Sequence, residues 1–406
     1  HTWLKRYTYL MGVIYGEQPA GKDWKDSLKH KMVMKGGFRE VMNMENMYYH
    51  PLWKVVVSVH VDDPLIVAID EDGHELTHDF LDDQFDTKGR NRLTHDKQID
   101  YLSMEISLSA DNDIIITNRA KCEKMLADAG MSECLPTTQP PMTKQSLKQA
   151  LENSEPLSDE ENTARLGDNG RFGWLAQTTH LGLAVSTSIA QGLPPVQGTK
   201  DVSAMMYQWV QAHKGDGLIS KSGDMSGFSI STDADWAGMH SVTGEVRSRT
   251  GVMICYNGMP ILLYTGLQKT IASQWTNEDE AIATSSGNAE TLAASETLVR
   301  ALSCTYVADE VGIEVPRPIL IEIDANAALG FLNNSGSPSR MKHIDIRKGW
   351  IQQLRDRTIA EFVKVDGTII KANFMTKLLN RVEFDHEYKR LAFIPETLET
   401  PPNDAE

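Results

Sequence analysis

Two short β-branched runs, at residues 55–59 and 65–69, flank the polar step His60-Val61-Asp62-Asp63. They predict a β-hairpin of two buried strands with adjacent carboxylates at its tip. Upstream, the loop signal Gln18-Pro19-Ala20-Gly21 precedes a predicted helix with Trp24, Leu28, Met32 and Met34 loosely on one face, stopped by Gly36-Gly37. Residues 135–162 are rich in Pro, Thr, Gln, Ser and Glu and read as a linker. Residues 165–217 read as helices whose apolar faces are supplied by Phe172, Leu175, Leu181, Leu183, Val185 and Ile189.

From Phe228 the pattern becomes strand, strand, strand, helix, strand, helix, strand, helix. Phe228 and Ile230 alternate with Ser229 and Ser231, which puts Asp233 on the polar side of a strand end. Residues 251–256 and 260–265 are the next two strands. A helix over 287–312 carries Glu290, Ala294, Thr297 and Ala301 roughly in line. The strand 318–324 places Leu320, Glu322 and Asp324 on one face, and 359–365 is a further strand. Asp366-Gly367 marks a turn, and a last helix is expected near 371–379. The acidic, Pro-rich end of the chain, residues 395–406 above all, reads as disordered.

With 406 residues the chain exceeds one ordinary core and implies two or three domains. Its 41% hydrophobic and 24% charged residues are those of a globular protein. No run approaches a membrane span and no signal-peptide pattern opens the sequence, so an intracellular setting, cytoplasmic or nuclear, without a membrane partner is expected. The first residue is His1 rather than Met, which reads as a fragment or a processed product. Cys122, Cys134, Cys255 and Cys304 lie far apart with no CxxC spacing, which argues for reduced thiols and against zinc. The formal charge of −16 argues against tight non-specific binding to nucleic acid but leaves a local basic groove open. Asp62 and Asp63 need solvent or a cation to offset their charge, and oxygen ligands of this kind suit Mg²⁺. A plain turn pair is the other reading, and the hairpin by itself favours it.

The order Tyr15-Gly16…Pro19…Trp24, an amphipathic helix ending in Gly36-Gly37-Phe38, and a strand-Val61-Asp62-Asp63-strand hairpin resembles the reverse transcriptase of copia-type retrotransposons. The resemblance continues through Phe85-Asp86-Thr87-Lys88, Tyr101-Leu102-Ser103-Met104-Glu105-Ile106, residues 116–142 and Pro156-Leu157-Ser158-Asp159, and extends to about Lys377. In the last part STDADWAG (231–238), SSGNAETLAASE (285–296), IEIDANAAL (321–329) and MKHIDIRKGWIQQ (341–353) resemble the ribonuclease H motifs of the same elements.

The resemblance implies an α/β (α+β) chain in parts. These are an incomplete reverse-transcriptase palm and thumb over 1–142, a linker and helical connection over 143–225, a ribonuclease H-like mixed sheet with flanking helices over 226–385, and an acidic tail over 386–406. It places catalytic and metal-binding carboxylates at Asp233, Glu290 and Asp324, and a polymerase pair at Asp62 and Asp63 with Asp62 on the metal. His343, Asp345 and Arg347 fall in the best-matched stretch. The implied cofactor is Mg²⁺ or Mn²⁺, because paired divalent ions activate water and steady the leaving oxygen in phosphodiester cleavage. The implied partners are an RNA/DNA hybrid and a primer–template.

The sequence departs from the family at several points. Asn373 stands where the family has a fourth nuclease carboxylate, and an amide offers an oxygen without charge. His60 replaces a tyrosine, and Pro64 removes a backbone donor from the returning strand. Gln177-Thr178-Thr179-His180 replaces the family's TRPD. The polymerase Asp that pairs with the hairpin is expected upstream of His1. Two readings of different classes therefore stand. One is an enzyme or enzyme fragment, a reverse transcriptase end with its ribonuclease H. The other is a non-catalytic structural or interaction protein with protein partners, derived from such an element. A product of decay with no present role is a third.

Overall fold

The computed structural model describes residues 20–391, apart from 86, 88, 269–270, 273–279, 282–285 and 334–341. The chain is a mixed α/β protein with mainly antiparallel, open sheets. Its described residues form two units: one runs to Arg90 and takes in Leu302–Val315, the other holds Asn91–Ala301 and the residues from Pro316 onward. No helix among the described residues is long and apolar enough to cross a membrane.

In the first unit, α1 (Ala20–His30) runs into a π-helical turn, Lys31–Lys35, and stops at Gly36. A Cβ on Gly36 would lie 2.6 Å from the Phe80 ring and 2.8 Å from the Met32 carbonyl, so only glycine lets the chain leave the helix here. Strands β1 (Arg39–Glu40), β2 (Met47–His50), β3 (Val55–His60) and β4 (Asp63–Ala68) form an antiparallel sheet in that order, followed by α2 (Glu71–Gln84). Asp70 caps α2 by accepting from the Gly73 amide at 2.9 Å. Val55, Val57 and Val59 alternate inward onto Leu28 of α1, Met32 of the π-helical turn and Leu81 of α2, as strand periodicity requires.

The hairpin differs from expectation in its second strand. β4 is the edge of the sheet, so it is not buried, and Val67 is 58% and Ile69 77% exposed. An edge position also explains how Pro64, opposite Val59, is tolerated without its amide donor. Met34, read as part of the apolar face of the first helix, is likewise exposed, because the π turn rotates it off the α1 face.

The second unit begins with β5 (Ile99–Tyr101), β6 (Met104–Leu108) and β7 (Ile114–Thr117), then α3 (Arg119–Asp128). Inside the stretch read as a linker lies α4 (Lys144–Leu151), capped by a reciprocal Thr143–Ser146 pair, with Leu147 and Ala150 buried. A second capping box, Ser158 with Glu161, opens α5 (Asp159–Thr178). Polar composition there signals helix starts rather than a free connection. After α5 come α6 (Ala184–Gln191) and α7 (Gly198–His213), and then β8 (Gly217–Ser220), which pairs antiparallel with β7 and completes a four-stranded sheet.

The remaining elements are β9 (Phe228–Asp235), α8 (His240–Thr243), β10 (Arg249–Tyr256), β11 (Met259–Leu267), the short pair β12 (Ile271–Ala272) and β13 (Glu280–Ala281), α9 (Ser286–Glu310), β14 (Ile319–Ile323), α10 (Asn326–Asn333), α11 (Lys342–Asp356), β15 (Ala360–Lys364) and α12 (Arg381–Leu391). They include a five-stranded sheet in the order β11-β10-β9-β14-β15, antiparallel from β9 to β11 and parallel from β9 to β15.

Two expectations at the end of the chain are corrected. Residues 371–379 contain a 3₁₀ turn, Lys371–Met375, instead of an α-helix, because the segment lies flat against the sheet. The expected tail begins inside α12, whose Tyr388 and Leu391 are buried with Trp209 in the main core. Residues 1–19, Asp86, Lys88 and 392–406, all used in the sequence reading, lie outside the described residues.

Candidate active site

Three carboxylates from three elements meet in the second unit. Asp233, Glu290 and Asp324 each offer one oxygen, and these oxygens all lie within 4.8 Å of one another. The sheet brings two of them together. β9 and β14 are parallel neighbours with Ile321 beside Ile230 and Glu322 beside Ser231, a register that carries Asp324 alongside Asp233.

The helix brings the third. Ala289 and Ala293 of α9 pack on Ala234 of β9, and these small side chains let the helix approach the strand closely enough for Glu290 to reach Asp233. Ala294, Thr297 and Ala301, predicted in line with Glu290, are all fully buried.

Asp233 is less exposed than the strand alternation implied. Its residue is 1% accessible, because β9 is a central strand covered on both faces. One cover is the 3₁₀ segment, admitted by Gly251 opposite Asp233 on β10. A Cβ on Gly251 would stand 2.5 Å from Thr376 Cγ2 and 2.9 Å from the Ala372 carbonyl oxygen. Gly367 performs a similar service for Asp324, whose Oδ2 would lie 2.9 Å from a Cβ at that turn.

Crowding these groups is electrostatically costly. Burial, then the Asp233 and Asp324 charges, push the Glu290 carboxyl up to about 8, opposed in part by a hydrogen bond from the Ala234 backbone. Glu290 Oε2 is buried with no hydrogen-bond partner. Asp324 is also raised, by burial first and by Asp233 second, with Lys377 and Lys364 opposing. A buried, unpaired carboxylate oxygen beside two further acids is the donor set of a hard divalent cation, so the residues fit Mg²⁺ or Mn²⁺.

Two contacts were not foreseen. Thr376 donates its hydroxyl to Asp233 Oδ2, and Lys377 Nζ lies 3.3 Å from the same oxygen. No local signal in the sequence marks either contact, since both depend on the segment docking beside Gly251 of another strand. Asn373 donates through Nδ2 to the Gly367 carbonyl at 2.7 Å and accepts from Lys377 Nζ at 2.7 Å.

The other expected site residues stay apart from this cluster. Asp62 and Asp63 are exposed at the hairpin tip, where Trp24 Nε1 donates to the Val61 carbonyl at 2.6 Å. No third ligand gathers with them among the described residues. Arg347 is exposed on α11, and the side chains of His343 and Asp345 lie outside the described residues. A second group on α2, Glu71, His74 and Glu75, also clusters, but its glutamates are exposed and Glu75 already pairs with Arg90 at 3.0 Å.

No family model matches the chain. Over 154 residues, 38% of its length, it is 28% identical to the retrovirus-related Pol polyprotein from transposon TNT 1-94 of Nicotiana tabacum, covering 10% of that protein. Over 388 residues, 95% of its length, it is 24% identical to the retrovirus-related Pol polyprotein from transposon RE2 of Arabidopsis thaliana. Over 383 residues, 93% of its length, it is 24% identical to that from transposon RE1 of the same plant. The chain spans only 25% and 24% of those last two relatives. Along nearly all of its length, the chain is thus similar to a segment of retrovirus-related Pol polyproteins from plant transposons.

Proposed function

We propose that the chain derives from the reverse transcriptase–ribonuclease H end of a copia-type Pol polyprotein, and that residues 226–385 carry a ribonuclease H-like nuclease site. The observation that carries this reading is the convergence of Asp233, Glu290 and Asp324 from a central strand, a helix and a parallel neighbouring strand. Asp233 and Asp324 hold their oxygens at adjacent strand ends, and Glu290 closes the third side from α9. Their shared negative charge would hold a small dication, and the substrate class proposed is the RNA strand of an RNA/DNA hybrid. Mg²⁺ or Mn²⁺, when bound, supplies Lewis-acid stabilisation of charge at the phosphate and lowers the pKa of an attacking water. Asn373 contributes no charge, so cleavage is feeble.

In the same reading, residues 1–142 are a partial palm and thumb and 143–225 the connection between polymerase and nuclease. Asp62 and Asp63 do not polymerise alone, since two carboxylates on one exposed tip are one arm of a metal clamp.

A second reading, a non-catalytic structural or interaction protein of the same descent, is favoured by the way Asn373 spends its amide inside the protein. Cleavage of the RNA strand of a hybrid in Mn²⁺ separates the two. The nuclease reading expects slow cleavage that Asp233→Asn abolishes and Asn373→Asp accelerates. It also expects Mn²⁺ to raise the melting temperature of the native chain but not of Glu290→Gln, since an ion that binds only the folded state stabilises it. No cleavage in either the native chain or Asn373→Asp would leave the structural reading.

A further inference from the structure

One of the two oxygens of Asp233 is already occupied. Oδ2 accepts from Thr376 and faces the Lys377 ammonium at 3.3 Å. The same ammonium donates to Asn373 Oδ1 at 2.7 Å, and the other end of that amide is held by the Gly367 carbonyl. Asn373 is therefore engaged by protein groups at both ends. A pair of divalent ions about 4 Å apart needs a carboxylate with both oxygens available, and acidic ligands on either flank. On the Asn373 side neither condition is met. The oxygens left over are Asp233 Oδ1, Glu290 Oε2 and those of Asp324.

We propose that this centre holds one divalent cation rather than two, and that the Lys377 ammonium supplies the second positive charge on Asp233. This rests on the metal-binding reading given above. The charge of the three ligands and of the ammonium that faces Asp233 supports it: three ionised carboxylates and one ammonium leave two negative charges, which a single dication neutralises. A second dication would leave the buried cluster with an excess of two positive charges, and burying uncompensated charge is strongly unfavourable. Replacing Asn373 by aspartate and removing the lysine charge would give four carboxylates, enough to balance two dications.

The test counts Mn²⁺ bound to the full chain, from the loss of the free-ion electron paramagnetic resonance signal. Glu290→Gln gives the background of ions bound elsewhere. The native chain is expected to exceed that background by one ion, and the double variant Asn373→Asp, Lys377→Met by two, with the signal of a spin-coupled pair. Lys377→Met alone should still bind one ion but about tenfold more tightly, because the repelling ammonium is gone. Lys377→Gln, which keeps a hydrogen-bonding group, should behave as Lys377→Met does, and metal-free melting curves confirm that each variant is folded. An excess of two ions in the native chain would overturn the single-ion inference and leave the metal-binding reading intact. Unchanged affinity in both Lys377 variants would overturn the role of the lysine. No excess over Glu290→Gln would overturn the metal-binding reading itself, and the inference with it.

Discussion

Gly251 on β10 lies directly across the sheet from Asp233 on β9, and the side chain it lacks is the space in which Thr376 sits. A methyl group at 251 would meet both Thr376 Cγ2 and the Ala372 carbonyl oxygen inside normal contact distance. Gly251→Ala should therefore cost about 1–3 kcal/mol by overpacking. It should also loosen Thr376 and Lys377 from Asp233. Chemical denaturation reads the first effect. The second appears as a change in Mn²⁺ affinity, which a purely local packing defect would leave alone.

A second expectation concerns pH. Asp216 is fully buried and accepts from the Tyr388 hydroxyl at 3.0 Å, while its Oδ1 has no partner. Burial pushes its carboxyl up to about 7, with the Tyr388 hydrogen bond opposing. The folded state thus keeps a proton that the unfolded chain releases near the ordinary aspartate value. Stability contributed by this group is present at low pH, falls as pH rises from about 4 to about 7, and is flat above that. Asp216→Asn should remove the fall, gaining on the order of 3 kcal/mol at pH 8 relative to its effect at pH 4. Urea unfolding of both proteins at the two pH values checks this, and an equal difference at both would refute it.

Primer extension by this chain on an RNA or DNA template with Mg²⁺ should be absent, because Asp62 and Asp63 meet no further carboxylate among the described residues. Extension that disappears on Asp62→Asn would show that a partner acid is present after all.

Affinity for an RNA/DNA hybrid should be low and should fall steeply with salt, as expected with 56 acidic against 40 basic residues. Fluorescence anisotropy across a salt series measures the slope. Tight binding that survives high salt would reveal a basic groove.

Much of the second unit is legible in its sequence because strand and helix periodicities there are strong. Alternation across Ile319, Ile321 and Ile323 marks β14, and the carboxylate that follows it falls where the parallel register needs it. The line of Glu290, Ala294, Thr297 and Ala301 marks the buried face of α9, while the approach through Ala289 and Ala293 is visible only in the fold. What could not be read depends on distant partners. Nothing local to Thr376 or Lys377 says that they reach Asp233, since that depends on a glycine in another strand. The edge exposure of β4 is likewise set by where the sheet ends, not by its own β-branched residues. Ser158 with Glu161 three residues on is a capping pattern that the polar composition around it obscures, whereas the Thr143–Ser146 pair lacks the usual Glu or Gln and is visible only in the fold.

The pairing of β8 with β7 has a consequence for how the chain is made. β7 carries Ile114, Ile115 and Ile116, and its outer edge is covered only when Gly217–Ser220 arrives, after five α-helices have been synthesised. Until then the ribosome presents an open, β-branched edge, the kind of surface that recruits other nascent chains. A product truncated anywhere before Gly217 keeps that edge for good and should accumulate as aggregate, whereas one cut just after Ser220 has the means to close its own sheet.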